Sequence, residues 1–209
     1  WDAAEAVLAV KSVLVDLNDA AATLPNSYNS VENITPLETP LSSTINGAAL
    51  ATPVFLSLYA ENDLRLDKYF AETDEKGFRK NKKAGSNNYL CTFRVGEIYL
   101  TAADRLGELS QARTRLLELM RKRYAPEAYE AKSVVVNAMD KEALVQEILD
   151  ERARELAFEG HRWFDLRRST RPRLEKVLDG TRYVLEENDA RYTLAIPKEA
   201  IEANPGLLN

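Results

Sequence analysis

Between Ile148 and Arg168 the chain reads Ile-Leu-Asp-Glu-Arg-Ala-Arg-Glu-Leu-Ala-Phe-Glu-Gly-His-Arg-Trp-Phe-Asp-Leu-Arg-Arg, a dense run of ionisable and aromatic side chains. Glu151, Glu155 and Glu159 recur every four residues, which stacks them along one side of a helix. Arg152, Arg154, Arg162, Arg167 and Arg168 surround them in sequence. Acids beside guanidinium groups form bidentate ion-pair networks, because the planar fork of Arg matches the two oxygens of a carboxylate. Gly160 supplies a permissive backbone at which the chain can turn back, and Trp163 and Phe164 are then expected to bury against the preceding helix. Asp165 can reach Arg168 or Arg162 at a spacing of three residues. The competing chemistry is catalytic: Glu155, Glu159, His161 and Asp165 as an acid/base cluster, or His161 and Asp165 holding a metal at i, i+4. Metal hydrolase motifs supply two or more His, and this chain has one. The excess of Arg would also keep these carboxylates ionised rather than poised near neutral pH. No Gly-rich phosphate loop and no Gly-x-Ser-x-Gly elbow occurs. The expectation is a structural motif with no catalytic residue, no metal and no cofactor.

The elements that must position this motif are mostly helical. The chain has 209 residues, 45% apolar and 29% charged, which suits one globular domain rather than a disordered segment. Its 28 basic and 33 acidic residues leave a net charge of −5, so a chain-wide basic footprint for nucleic acid is absent. The whole excess lies N-terminal: residues 1–60 carry Lys11 against Asp2, Glu5, Asp16, Asp19, Glu32 and Glu38, read as a solvated face that repels anions. The lone Cys91 excludes an internal disulfide and a multi-thiolate metal site. No run of about 18 apolar residues could cross a membrane as a helix.

Apolar residues at helical spacing predict a helix over residues 2–23, with the Asp2 carboxylate capping its start and Pro25 and Asn26 ending it. Trp1, at the terminus, is expected to fray. Residues 24–60 hold four of the eight prolines among many Asn and Ser and read as a long loop with a short helix at 54–60. Residues 61–90, with Lys76, Arg79, Lys80, Lys82 and Lys83 close together, read as a solvated loop or hairpin. Two apolar stripes, from Val95 to Leu106 and from Ala112 to Tyr124, predict a helix pair that folds back on itself. Pro126 and residues 132–138 read as a connector, Asp140 as the cap of a third long helix, and Gly160 as the point after which a fourth begins. Residues 183–185 and 192–196 read as a hairpin around Glu186–Asp189, and Pro197 as the start of a short helix to Ala203.

The motif closely resembles the signature of the SusD/RagB family, the outer-membrane nutrient-binding lipoproteins of Bacteroidetes. The matching positions are Ile148, Leu149, Glu151, Arg152, Glu155, Leu156, Phe158, Glu159, Gly160, Arg162, Trp163, Phe164, Asp165, Leu166 and Arg168. Further resemblance runs through Leu58-Tyr59, Asn62-Asp63-Leu64-Arg65 and Tyr69-Phe70, then Arg94 to Leu100 with Ala102-Ala103-Asp104, where Asp104 stands for the usual Glu. Ala112, Leu116, Leu117 and Arg121–Arg123 fit the next repeat helix, and Tyr192 to Pro197 with Asn204-Pro205 fit the family tail. The resemblance implies a mainly all-α fold of tetratricopeptide-like helix pairs, with long loops and a small β-rich C-terminal segment. It implies the C-terminal portion of such a domain over 1–209: a helix of an incomplete repeat at 1–23, a loop-rich segment at 24–90, two helix-pair repeats at 92–168 and a tail at 169–209. Family members are normally about twice as long, and their lipidated Cys lies at an N-terminus that this chain does not contain. A repeat cut in this way would leave an apolar face uncovered.

The resemblance also implies a function: capture of an extracellular oligosaccharide, or of a peptide, and delivery to a SusC-like TonB-dependent transporter at the outer membrane, without catalysis. A helical protein-interaction module and a glycoside hydrolase are the rival classes. The family signature is scaffold, so ligand contacts are expected in loops. Tyr28 with Asn29, and Asn88 with Tyr89, each pair a ring with an adjacent amide in a polar loop, the chemistry that sugar rings and hydroxyls require.

Overall fold

The computed structural model describes residues 1–27, 29–38, 50–83, 89–104, 107–178, 180–204 and 206, with nothing described for the side chains of 36–38, 89–92 and 178. Among these the chain forms nine α-helices and seven short strands, a mainly α fold. It divides into two compact units, Trp1–His161 and Arg162–Asn209.

In the first unit, helix α1 spans Asp2–Val10, with Trp1 rather than Asp2 in the N-cap position and no side-chain cap, and it stops well short of Pro25. The residues from Lys11 onward leave the helix because their groups find better partners elsewhere. Lys11 is extended, at φ −142°. The Val15 N–H donates to Glu32 at 2.9 Å, and the Leu17 N–H donates to the Lys122 carbonyl at 3.0 Å. Val15 and Leu17 are buried while Leu14 and Asp16 beside them are only partly so, the alternation of an extended segment rather than a helical stripe. Trp1 is not frayed: its indole N–H donates to the Ala102 carbonyl at 2.9 Å.

The short helices α2 (Pro53–Leu56) and α3 (Arg65–Tyr69) follow. Thr52 caps α2 by accepting the Phe55 N–H. Strand β1 (Asn33–Glu38) pairs antiparallel with β5 (Tyr89–Arg94), and a second sheet runs β2 (Leu50–Ala51), β4 (Arg79–Asn81), β3 (Phe70–Thr73). The charged segment 61–90 therefore does contain a hairpin, but Lys83 at its end is buried rather than solvated.

Strand β5 runs directly into helix α4 (Val95–Ala103), which packs against α1 and against α5 (Leu109–Met120). Ala102 and Ala103 are fully buried at this close approach. The expected connector at 132–138 is instead the end of helix α6 (Pro126–Ala138). The β-branched Val134, Val135 and Val136 lower helix propensity slightly, but Val136 is fully buried in the core, and that packing outweighs the loss. Pro126 occupies the first turn, where its missing N–H costs nothing. Helix α7 (Lys141–Glu155) begins as expected, the Asp140 carboxylate accepting the Ala143 N–H at 2.9 Å. Two apolar clusters result: one around Leu100, Leu116, Leu119 and Ile148, the other around Tyr69, Phe70 and Tyr59 with Phe55 and Phe158.

The second unit contains α8 (Arg162–Arg168), a hairpin of β6 (Leu174–Leu178) and β7 (Thr181–Leu185), and α9 (Lys198–Ala203). The hairpin thus pairs 174–178 with 181–185, not 183–185 with 192–196. Gly180, just before β7, has φ +76°, a conformation glycine adopts freely. Tyr192 instead ends a 3-10 turn and stacks on Trp163, centroids 5.2 Å apart and planes at 15°. Trp163 is accordingly half-buried, whereas Phe164 is exposed rather than packed inside.

Candidate functional site

The signature acids close a buried ion lattice. Glu151 and Glu155 lie one turn apart at the C-terminal end of α7. Glu159 follows after the helix has ended, past Phe158 at φ +63° and before Gly160 at φ +86°. None of the three carboxylates is more than marginally exposed.

Glu155 stands at the centre. Arg123 donates to both of its oxygens, through Nε at 2.9 Å and Nη2 at 3.0 Å. Arg94 Nη1 reaches Oε1 at 2.6 Å, and Arg65 Nη1 reaches Oε2 at 3.1 Å. Around it, Arg65 grips Asp63 with Nε and Nη2 and donates to Glu151 at 2.7 Å. Arg123 also donates to Glu32 at 2.5 Å, and Arg94 to Glu32 at 3.0 Å. Arg94 further meets both oxygens of Glu159, at 2.9 and 2.8 Å. Lys83 pairs with Glu159, donates to the Ala157 carbonyl at 3.3 Å and lies 4.7 Å from the centre of the Tyr69 ring. Arg154 closes the other end on Glu151 at 2.8 Å and on Glu147 at 2.5 Å. Among the described residues this lattice holds Glu32, Asp63, Glu147, Glu151, Glu155 and Glu159 against Arg65, Arg94, Arg123, Arg154 and Lys83, and Lys132 at the rim pairs with Glu147 to make the set balanced.

The balance sets the protonation states. Burial pushes the Glu155 carboxyl up, but Arg123, Arg94 and Arg65 overcome it and hold the group well below the usual carboxylate range. Burial likewise pushes Glu151 and Glu159 up, but Arg65 and Arg154 at the first and Arg94 and Lys83 at the second outweigh it and hold both below the usual range. Burial drives the Lys83 ammonium down to about 8 against the pull of Glu159. Burial also raises the Tyr59 and Tyr124 hydroxyls well above their ordinary range.

Gly96, next to this lattice, has no room for a side chain. A Cβ there would collide with the Arg94 guanidinium and sit 3.1 Å from both the Glu155 and the Glu32 carboxylates. Gly160 is different: open space surrounds it, and only its backbone angle calls for glycine.

The expected ion network is present, but its arginines come from elsewhere. Of the five in the signature, Arg154 joins these acids; Arg168 pairs with Asp165 at 3.1 Å, as the three-residue spacing suggested. Arg152 is buried, and Arg162 is exposed on α8. Glu32 and Lys83, read as solvated charges, are interior members. Arg65, Arg94 and Arg123 carried no periodic signal, and only their place in family-like segments marked them. His161 lies 3.5 Å from Glu97, both partly buried. Among the described residues no group of three His, Cys, Asp or Glu side chains could hold a metal ion. Of the expected ligand contacts, Tyr28 and Asn88 lie outside the described residues, and Tyr89 opens β5 with its side chain undescribed. Asn29 sits in an exposed turn.

Two surface clefts of about 400 Å3 each border α6. One is lined by Asp16, Asn18, Arg121, Lys122, Tyr129 and Glu130, with Pro126. The other is more apolar, lined by Ala128, Ala131 and Val135 with Tyr124 and Lys132 among others.

Comparison with known proteins places these features. The SusD family model matches residues 48–209. Among solved structures, a SusD superfamily protein from Bacteroides thetaiotaomicron superposes with a TM-score of 0.69 at 20% identity, covering 98% of this chain and 54% of that one. A SusD-like carbohydrate-binding protein from Bacteroides vulgatus gives 0.66 at 16% identity, covering 97% and 53%. A SusD superfamily protein from Bacteroides fragilis gives 0.65 at 20%, covering 98% and 50%. The chain thus spans about half the length of the solved structures it matches. No curated protein sequence matches it.

Proposed function

The chain belongs to the SusD family, and on that premise we propose that it serves in capturing an extracellular oligosaccharide and passing it to a SusC-like TonB-dependent transporter in the outer membrane. The observation that carries this reading is the condition of the signature motif. Every acid in Glu151, Glu155 and Glu159 is buried, ionised and occupied by a cation. A glycoside hydrolase needs two carboxyl groups facing each other across an open cleft, one of them able to give up a proton. The signature acids are instead the ties that hold α7, β5 and the ends of α5 and α3 in one arrangement.

The structure of a carbohydrate-binding relative supports oligosaccharide as the ligand class. Sugar capture asks for a preformed surface with an aromatic ring and mixed hydrogen-bonding groups, which a rigid helical scaffold presents through its loops and helix ends. On this reading the protein performs no chemistry and works at the cell surface as a lipoprotein. Tyr28, Asn29, Asn88 and Tyr89 are the positions proposed for ligand contact.

Isothermal titration of the chain against a panel of soluble polysaccharides tests the proposal. Heat of binding to at least one glycan is the expected result. Binding to peptides alone would move the assignment to peptide import. Reducing ends released from any bound glycan would replace it with a hydrolase. Co-purification of a TonB-dependent barrel from outer membranes of the source cell tests the delivery step.

A further inference from the structure

We infer that the cleft between the 16–18 turn, the C-terminal end of α5 and the first turns of α6 is a subsite for a neutral saccharide. This deepens the proposed function by assigning the ligand a place and a charge class, and it rests on that reading.

The cleft has about 400 Å3 of space, near the lower end of the range of roughly 300–1,000 Å3 for ligand pockets. That volume suits a short stretch of a sugar chain rather than a polymer. Half-buried Tyr129 and the ring of Pro126 supply its apolar surface. Tyr129 leans on the core cluster of the first unit, which fixes its ring at little entropic cost. Its hydroxyl makes no hydrogen bond to any described residue.

The rim carries donors and acceptors of both signs. Lys122 pairs with Asp16 at 2.7 Å, which holds the Asp16 carboxyl below its usual range against the opposing effect of burial. Asn18 Nδ2 donates to Asp16 at 3.0 Å and to the Tyr124 carbonyl at 3.3 Å, which leaves its Oδ1 as a free acceptor. These bonds orient three rim groups before any ligand arrives. Arg121 and Glu130 are exposed and form no ion pair among the described residues. Two acids and two cations make the rim electrically neutral overall.

This composition selects the ligand class. Each sugar hydroxyl both donates and accepts, and neighbouring hydroxyls are satisfied by Arg and Lys donors beside Asp, Glu and Asn acceptors. An anionic ligand would gain Arg121 but would meet Asp16 and Glu130. A cationic one would meet Arg121 and Lys122. The other cleft on α6 also holds a ring, Tyr124, beside Glu61, Asn62 and Lys132, but that ring is buried and its hydroxyl already donates to Glu151 at 3.4 Å.

The test is amide-resolved NMR titration of the chain with cello-, malto-, xylo- and mannohexaose, each added separately, and with an oligogalacturonate as the anionic comparison. At least one neutral hexaose should shift the amides of Asn18, Arg121 and Tyr129, and should bind at least fivefold more tightly than the oligogalacturonate. Arg121→Ala and Glu130→Gln change exposed side chains and should keep the thermal midpoint while weakening binding at least threefold each. Tyr129→Phe should keep most of the affinity and Tyr129→Ala should lose at least tenfold. Shifts that cluster elsewhere, with these variants binding like the parent, would discard the subsite and leave oligosaccharide capture standing. Preference for the oligogalacturonate at this cleft would overturn the charge class. No shift with any hexaose, together with no heat in the polysaccharide titrations, would remove both.

Discussion

Arg123 holds both carboxylate oxygens of Glu155 in a side-on grip, at 2.9 and 3.0 Å, with neither side chain exposed to solvent. The same Glu155 accepts from Arg94 and Arg65, so one carboxylate ties together the end of α5, the β5–α4 junction and the start of α3. Breaking a buried pair strands a charge in a medium that solvates it poorly, whereas losing both partners does not.

That asymmetry predicts a strongly non-additive cycle. Glu155→Gln and Arg123→Met should each lower stability by about 3–5 kcal/mol. The double variant should cost clearly less than the two singles added. Urea denaturation followed by circular dichroism measures all four corners. Strictly additive losses would mean that the two residues do not act as a pair.

Gly96 should tolerate no side chain. A methyl group there meets the Arg94 guanidinium and both Glu155 and Glu32. Gly96→Ala should therefore destabilise by about 1–3 kcal/mol through overpacking, even though alanine is the better helix former. Gly160→Ala is destabilising for another reason, its φ of +86°. A Gly96→Ala protein as stable as the parent would show that the lattice yields easily.

Stability should change little from mildly acidic pH to about 8, rise from there towards 10 and fall at both extremes. Glu151, Glu155 and Glu159 sit below their usual 4.5, so their contribution is present above that value and is lost as pH falls through the lower folded values. Tyr59 and Tyr124 lie above their usual 10, so their contribution is lost as pH rises past 10, when the unfolded chain ionises first. Lys83 runs the other way: its folded value near 8 against 10.5 unfolded makes this group alone favour folding increasingly between those limits. Urea midpoints measured from pH 3 to 11 report the sum. Lys83→Met should remove the rise between 8 and 10.5, and a parent that loses stability steadily from pH 7 to pH 5 would contradict the carboxylate assignment.

Asp140 offers a local control. Its carboxylate accepts the Ala143 N–H at the start of α7 and touches none of the ion lattice. Asp140→Ala should cost about 1 kcal/mol, and that loss should add to the loss from Glu155→Gln if the sites are independent.

The amino-acid order by itself determined the local devices. Glu151 and Glu155 had to share a helix side, although Glu159 falls beyond its end; Asp140 had to start α7, Pro197 had to precede a short helix, and Gly160 had to allow a turn. These depend on neighbours within one or two turns, which is what periodicity and capping chemistry report. The family-like segments likewise marked the scaffold. Only the tertiary structure decided who neutralises the glutamates. The cations on Glu155 lie 32, 61 and 90 residues away in sequence, and no spacing rule links them. Long-range contacts likewise pull residues 11–17 out of the helical pattern and take Glu32 and Lys83 into the interior, and apolar packing holds Val136 of α6 in the core. A charge placed in a short window reads as solvated, because the guanidinium that makes its burial tolerable arrives from a distant part of the chain.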